Sequence, residues 1–146
     1  GAVIALSHDV ISTIGLFALT QLEFNLATVA AILTIAGYSI NDTVVIYDRV
    51  REELRRYKKL AMPDLFNLAL NRTLSRTFLT SVTTLIALLA LTIFGGAIIR
   101  DFALAMIWGV LIGTYSSIFI AVPALMLLKL SRESFSAESE QEKSPD

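Results

Sequence analysis

Apolar and polar positions along this chain fall into long blocks. Ala2 to Thr20, Phe24 to Tyr47, Thr77 to Phe94 and Phe102 to Leu130 are nearly uninterrupted apolar runs, and charged residues gather between and after them. A water-soluble domain needs polar positions recurring at helical or strand period within each element, and these runs lack them. Crossing a bilayer takes about 20 apolar residues at 1.5 Å of rise each, and hydrocarbon offers no water to backbone groups. Each run is therefore expected to be a spanning helix, and the fold class to be an all-α integral membrane protein built as a bundle of four such helices. The fourth run is longer than one span requires.

Residues 48–76 have a pattern of their own. Asp48 to Lys58 continues the second helix beyond the membrane, with Arg49–Glu53 and Glu52–Arg56 at i,i+4 spacing. Pro63 suits the first turn of a new helix, where a missing N–H costs nothing. Leu65, Phe66, Ala69 and Leu70 then share one face, which predicts an amphipathic helix lying on the membrane surface between the second and third spans. Residues 1–130 are thus expected to form the transmembrane domain. The remainder, 131–146, is polar, acidic and aperiodic, and is expected to be a disordered tail.

Charge orients the bundle. Eight Lys or Arg residues lie between Asp48 and Arg76, whereas Gln21 to Glu23 has none and Gly95 to Asp101 has only Arg100. Positive charge marks the cytoplasmic side, so the 48–76 segment and the C-terminus are expected inside and the two short turns outside.

Composition removes several function classes. With no cysteine there is no disulfide framework, thiolate nucleophile or zinc knuckle, and a single histidine, His8, excludes a multi-histidine metal site. No glycine-rich phosphate loop is present, and basic residues are too few and scattered for a nucleic-acid surface. The chain opens at Gly1 inside an apolar run, with neither an initiator methionine nor a charged leader, and reads as a segment of a longer protein.

Three ionisable residues fall within or at the edge of the spans: Asp9, Asp42 and Arg76. A charge at the centre of an inserted helix costs about 2.5–3.5 kcal/mol, so such residues are functional candidates. Asp42 lies about one turn before the end of the second span, with Tyr38, Ser39 and Asn41 close by. Arg76 opens the third span from the same side, followed by a hydroxyl stripe of Thr80, Thr83 and Thr84. The antiparallel course of the two helices is expected to bring Asp42 and Arg76 to similar depth. Burial and a nearby arginine act in opposite senses on a carboxylate, which is the balance a proton carrier needs. Plainer roles stand beside this one. Arg76 can snorkel to head groups, Asp42 can tie helices, and the threonines can serve as packing glue. Asp9, with His8, Ser12 and Thr13 near it, is open to either a structural or a proton-carrying role. Gly109 and Gly113 form a GxxxG match, most simply a packing face with Ser116, Ser117 and Ala121. Trp108 has no assigned role.

GYSINDTVVIYDRVREEL (Gly37 to Leu54) resembles the signature of the SecF half of the SecD–SecF protein-export family, within the resistance–nodulation–division superfamily. VIALSHDV, NRTLSRTFLTSVTTLIALLAL and FGGAIIRDFALAMIWGVLIGTYSSIFIA resemble it too, in order along nearly the whole chain except the acidic tail. The resemblance implies six helices per half, of which this chain holds the last four; the first two helices and a periplasmic domain would precede it. It further implies a bacterial inner-membrane subunit driven by the proton gradient, without cofactor or bond-making chemistry. Implied partners are SecD, the SecYEG channel, YajC and YidC, secretory preproteins and membrane lipid, with no nucleic acid. Residues matching Asp42 and Arg76 would lie in the proton pathway facing SecD, with Asp9 matching the family's HDV aspartate. Two other readings remain: a proton-coupled exporter of lipids or small molecules, and a passive translocon scaffold.

Overall fold

A computed structural model describes residues 1–128, and the acidic tail predicted to be disordered lies outside the described residues. Among the described residues, four helices are long and apolar enough to cross a membrane, so the chain is a multi-pass membrane protein. α1 is Ala2–Thr20 and α2 is Leu26–Arg56. α3 is Met62–Phe94, and α4 is Gly96–Ser116. The last span continues through a π-helical stretch, Ser117–Ala121, into α5, Val122–Leu127.

Local chemistry sets the helix ends. Gln21 closes α1 in the left-handed conformation, at φ 54°. Asn25 then opens α2 with a reciprocal cap: its side chain accepts from the Thr28 N–H at 3.2 Å, and the Thr28 hydroxyl accepts from the Asn25 N–H at 3.2 Å. Pro63 and Asp64 stand in the first turn of α3, where a missing N–H is harmless and a carboxylate meets the positive end of the helix dipole. Only Gly95 separates α3 from α4. Its N–H caps Leu91, a Cβ there would meet the Leu91 carbonyl and Ile99, and Gly96 follows at φ 74°. The turn needs both glycines.

α4 packs against each of the other three long helices, and the last span, Gly96–Leu127, is the most enclosed, with 44% of its most apolar stretch buried against 17% for α3. One apolar core joins Phe17 of α1, Ala31 and Ile35 of α2, Leu88 of α3, and Ala105, Met106 and Val110 of α4. A second lies at the basic end, where Ile46 and Val50 of α2 meet Leu65, Phe66 and Ala69 of α3 and Val122 and Leu125 of α5. The outer surface carries Val3, Ile11, Leu19, Leu33, Phe78, Ile86 and Ile93, apolar side chains suited to hydrocarbon or neighbouring helices.

Two expectations change here. The segment from Pro63 is not a separate surface helix, because it runs without a break into the third span as one 33-residue helix. Its apolar stripe turns inward, with Leu65 and Ala69 fully buried and Phe66 nearly so. The stripe finds a protein partner in the extension of α2, so it has no need of a membrane surface. The fourth span also begins earlier than its apolar run, at Gly96, because Arg100 and Asp101 fit into its first turns.

Candidate functional site

Three ionisable sites stand out, two within the spans and one at the basic end of the bundle. Asp9, on α1, is fully buried. Its Oδ1 lies 3.0 Å from His8 Nδ1, and its Oδ2 accepts from Ser116 Oγ of α4 at 2.7 Å and from Ser39 Oγ of α2. Thr13 donates to the Asp9 carbonyl at 2.8 Å. One carboxylate thus ties three helices, and such charge-assisted bonds are the strong ones in a low-dielectric interior. Gly113 lines the same cluster. A Cβ added there would sit 3.6 Å from the Ser39 Cβ and 3.9 Å from Asp9 Oδ2. Gly109, one turn earlier, packs directly on Ile35.

Asp42 is a different kind of site. It is 4% exposed, and its Oδ2 is buried with no hydrogen-bond partner. Arg76 of α3 is the charge that bears on it, yet no hydrogen bond or ion pair among the described residues joins the two. Helical side chains lean toward the N-terminus of their own helix. Asp42 therefore leans away from the basic end of the bundle and Arg76 leans toward it, so similar depth does not bring their tips together.

The remaining candidates fall elsewhere. Ser39 belongs to Asp9 rather than to Asp42, and Asn41 faces outward. Thr80, Thr83 and Thr84 each donate to carbonyls of their own helix, at 2.8–3.0 Å, and none reaches Asp42. Buried hydroxyls form other bridges. Ser81 joins Tyr38 at 3.3 Å and Thr114 at 2.6 Å, linking α2, α3 and α4. Thr43 reaches Ser117 at 3.4 Å, and the Tyr47 hydroxyl donates to the Ala121 carbonyl at 2.9 Å. These last two contacts brace the π stretch, whose widened turn shifts the backbone pairing. A signal for this network was present in the sequence: Asp9/Thr13 and Ser39/Thr43 each sit one turn apart, and Ser116 and Ser117 are adjacent.

A third cluster lies at the basic end. Glu53 of α2 is fully buried, takes Arg72 Nη1 of α3 at 2.5 Å, and has Arg49 Nε at 3.2 Å. Arg49 also donates to Glu52 at 2.6 Å. Arg72 reaches the Tyr57 hydroxyl at 3.4 Å and lies 5.9 Å above its ring. The expected Arg49–Glu53 pair is present, and Arg72, nineteen positions away, is a second partner of Glu53 that local spacing does not predict. Beside this cluster an open groove of about 250 Å³ is lined by Val45, Asp48, Arg49 and Glu52 of α2 and by Arg72, Thr73 and Arg76 of α3. Among the described residues no group of three or more His, Cys, Asp or Glu is placed to hold a metal.

The family described as "Protein export membrane protein SecD/SecF, C-terminal" matches residues 1–131. The chain belongs to this SecD/SecF family. It is 56% identical over 132 residues to the protein translocase subunit SecF of Rhodobacter capsulatus, covering 90% of this chain and 40% of that protein. The SecF of Rickettsia bellii is 57% identical over 127 residues, covering 87% of this chain and 42% of the relative. This chain thus spans about two fifths of the length of the SecF proteins it matches. A crystal structure of SecDF in a super-membrane-facing form superposes with a TM-score of 0.85 at 44% identity, covering 94% of this chain and 19% of that one. A second, of SecDF from Thermus, described as a translocon-associated membrane protein, gives 0.82 at 47% identity, covering 86% and 17%.

Proposed function

We propose that this chain is the membrane portion of a SecF-type subunit that converts proton flow into assistance for Sec-dependent protein translocation. The observation that carries the reading is Asp42, a buried carboxylate with an orphaned oxygen, on the helix packed against the one that carries Arg76. Protonation of Asp42 removes one of the two opposite charges that α2 and α3 carry within the spans, so the α2–α3 interface has two electrostatic states, the requirement for a switch. A transmembrane potential supplies about 2.3 kcal/mol per elementary charge per 100 mV, enough to bias such a switch without nucleotide or cofactor. No bond-making step is needed, and the subunit is not an enzyme in that sense.

Basic residues on the α2 and α3 ends set the orientation by the positive-inside rule, with those ends and the C-terminus cytoplasmic in a bacterial inner membrane. Partners in this reading are SecD against the exposed membrane face, the SecYEG channel, YajC and YidC, and the secretory preproteins themselves. The names of the relatives favour protein export over export of lipids or small molecules. For Asp9 the passive reading has a specific observation in its favour: both carboxylate oxygens are already engaged by neighbouring side chains. Asp9 is then a helix tie, and Asp42 with Arg76 the working pair.

The test uses the full-length subunit in its assembled complex. Inverted membrane vesicles carrying Asp42→Asn are assayed for precursor export with and without a proton gradient. The gradient-dependent part of export is expected to vanish while the complex still assembles. Normal gradient-dependent export in assembled Asp42→Asn complex overturns the proposal.

A further inference from the structure

The contact between the buried Glu53 carboxylate and the exposed Arg72 guanidinium has no part in the proposed proton switch, yet it lies on the same pair of helices. Glu53 follows Asp42 by eleven residues, close to three full turns, and Arg72 precedes Arg76 by four, about one turn. Both helices therefore present two charged positions, and the open groove lined by Val45 of α2 and Thr73 of α3 runs along the seam between the helices. At the outer position the pair is closed, at 2.5 Å. At the inner position, Asp42 and Arg76 stand apart.

We propose that the Glu53–Arg72 contact is a positioning device that fixes the axial register of α3 against α2 and so sets the stand-off between Arg76 and Asp42. This rests on the reading of Asp42 and Arg76 given above. Three features suit Glu53 and Arg72 to the task. The Glu53 carboxylate is fully buried, so losing Arg72 leaves a desolvated charge with only Arg49 beside it. Arg72 is itself held, by the Tyr57 hydroxyl and ring at the end of α2, which limits its swing. The guanidinium fork is rigid and directional, unlike the point charge of a lysine. Packing at Leu65, Phe66 and Ala69 holds the two helices together, but apolar contact is non-directional and specifies axial position less sharply than a directional bond to a buried carboxylate. α3 is continuous from Arg72 through Arg76, so a shift at the outer position is transmitted to the inner one.

The experiment uses full-length protein in its assembled complex, in a background without other cysteines, with Val45→Cys and Thr73→Cys placed across the groove. A short bifunctional thiol reagent reads the register as a cross-linking rate, and gradient-dependent precursor export is read per assembled complex. Glu53→Gln keeps the shape and removes the charge. Arg72→Lys keeps the charge and removes the fork, and serves if the first variant fails to assemble. Each is expected to change the cross-linking rate by a factor of about three or more and to lower gradient-dependent export about tenfold or more, within the roughly hundredfold loss that a 1 Å misplacement of working groups can cause. Unchanged cross-linking in both variants overturns the proposal, and so does altered cross-linking with normal gradient-dependent export. If cross-linking shifts and export falls while Asp42→Asn exports normally, the register assignment stands and the proton reading fails.

Discussion

The two glycines of the GxxxG match should respond in opposite ways to alanine. At Gly109 the added methyl would overlap Cγ1, Cδ1 and Cγ2 of Ile35. Ile35 is 1% exposed and stands in the core shared by all four long helices. Two of the three clashing atoms are bonded directly to its Cβ, and a β-branched residue in a helix has one strongly preferred χ1 rotamer, so the side chain cannot swing clear. Overpacking of this kind costs about 1–3 kcal/mol. At Gly113 the nearest atoms would be 3.6–3.9 Å away, ordinary contact distances. There the methyl fits, and exchanging glycine for alanine within a helix is worth up to about 1 kcal/mol in its favour. The propensity gain applies at both positions and cancels in the comparison, so the two single variants should differ by the overpacking cost, about 1–3 kcal/mol, with Gly109→Ala the less stable and Gly113→Ala neutral or mildly stabilising. Reversible unfolding of the purified full-length protein in mixed detergent micelles measures this difference. Equal destabilisation by both, or a larger effect at Gly113, would refute the account of how α4 meets α2.

Further outcomes follow from the same geometry. Ser39→Ala and Ser116→Ala each remove a donor to the Asp9 carboxylate and should each cost about 1.5–3 kcal/mol by the same unfolding assay; the double variant should depart from additivity because both act on Oδ2. Phe66→Ala should cost about 3–5 kcal/mol, a value out of reach for a side chain resting on a membrane surface. Replacing Thr80, Thr83 and Thr84 together by valine should leave gradient-dependent export unchanged, since their hydroxyls bond to their own helix.

Much of the architecture was legible because hydrocarbon imposes so few solutions. The apolar runs predicted α1 at its observed ends, and Asp48 to Lys58 was read as an extension of α2, which in fact runs to Arg56. The amphipathic stripe at Leu65 was recognised but given the wrong partner. A periodic apolar face states that something must cover it, and the sequence alone does not say whether that is lipid or another helix. The polar sites show a similar division. Asp42, Arg76 and Asp9 stood out because charge is rare in the spans. Their grouping did not, since Ser39 was placed with its sequence neighbour Asp42 when the helix turns it toward Asp9. Depth also proved insufficient for Asp42 and Arg76, because the lean of side chains on antiparallel helices separates them. The Glu53–Arg72 contact bridges nineteen positions and was hidden behind the i,i+4 pairing that local spacing suggests.

The single-residue link between α3 and α4 has a practical consequence. With the Gly95 N–H closing one helix and Gly96 opening the next, no spare backbone remains at that turn for an insertion. An epitope or fluorescent tag placed between Gly95 and Gly96 would have to pry the two helices apart. The segment between Gln21 and Asn25 is longer and largely exposed, and is the better position for a topology reporter on that side of the membrane. During synthesis the same link means that α3 and α4 enter the bilayer as a hairpin, so a chain interrupted after Phe94 should leave a helix without the neighbour that α4 provides.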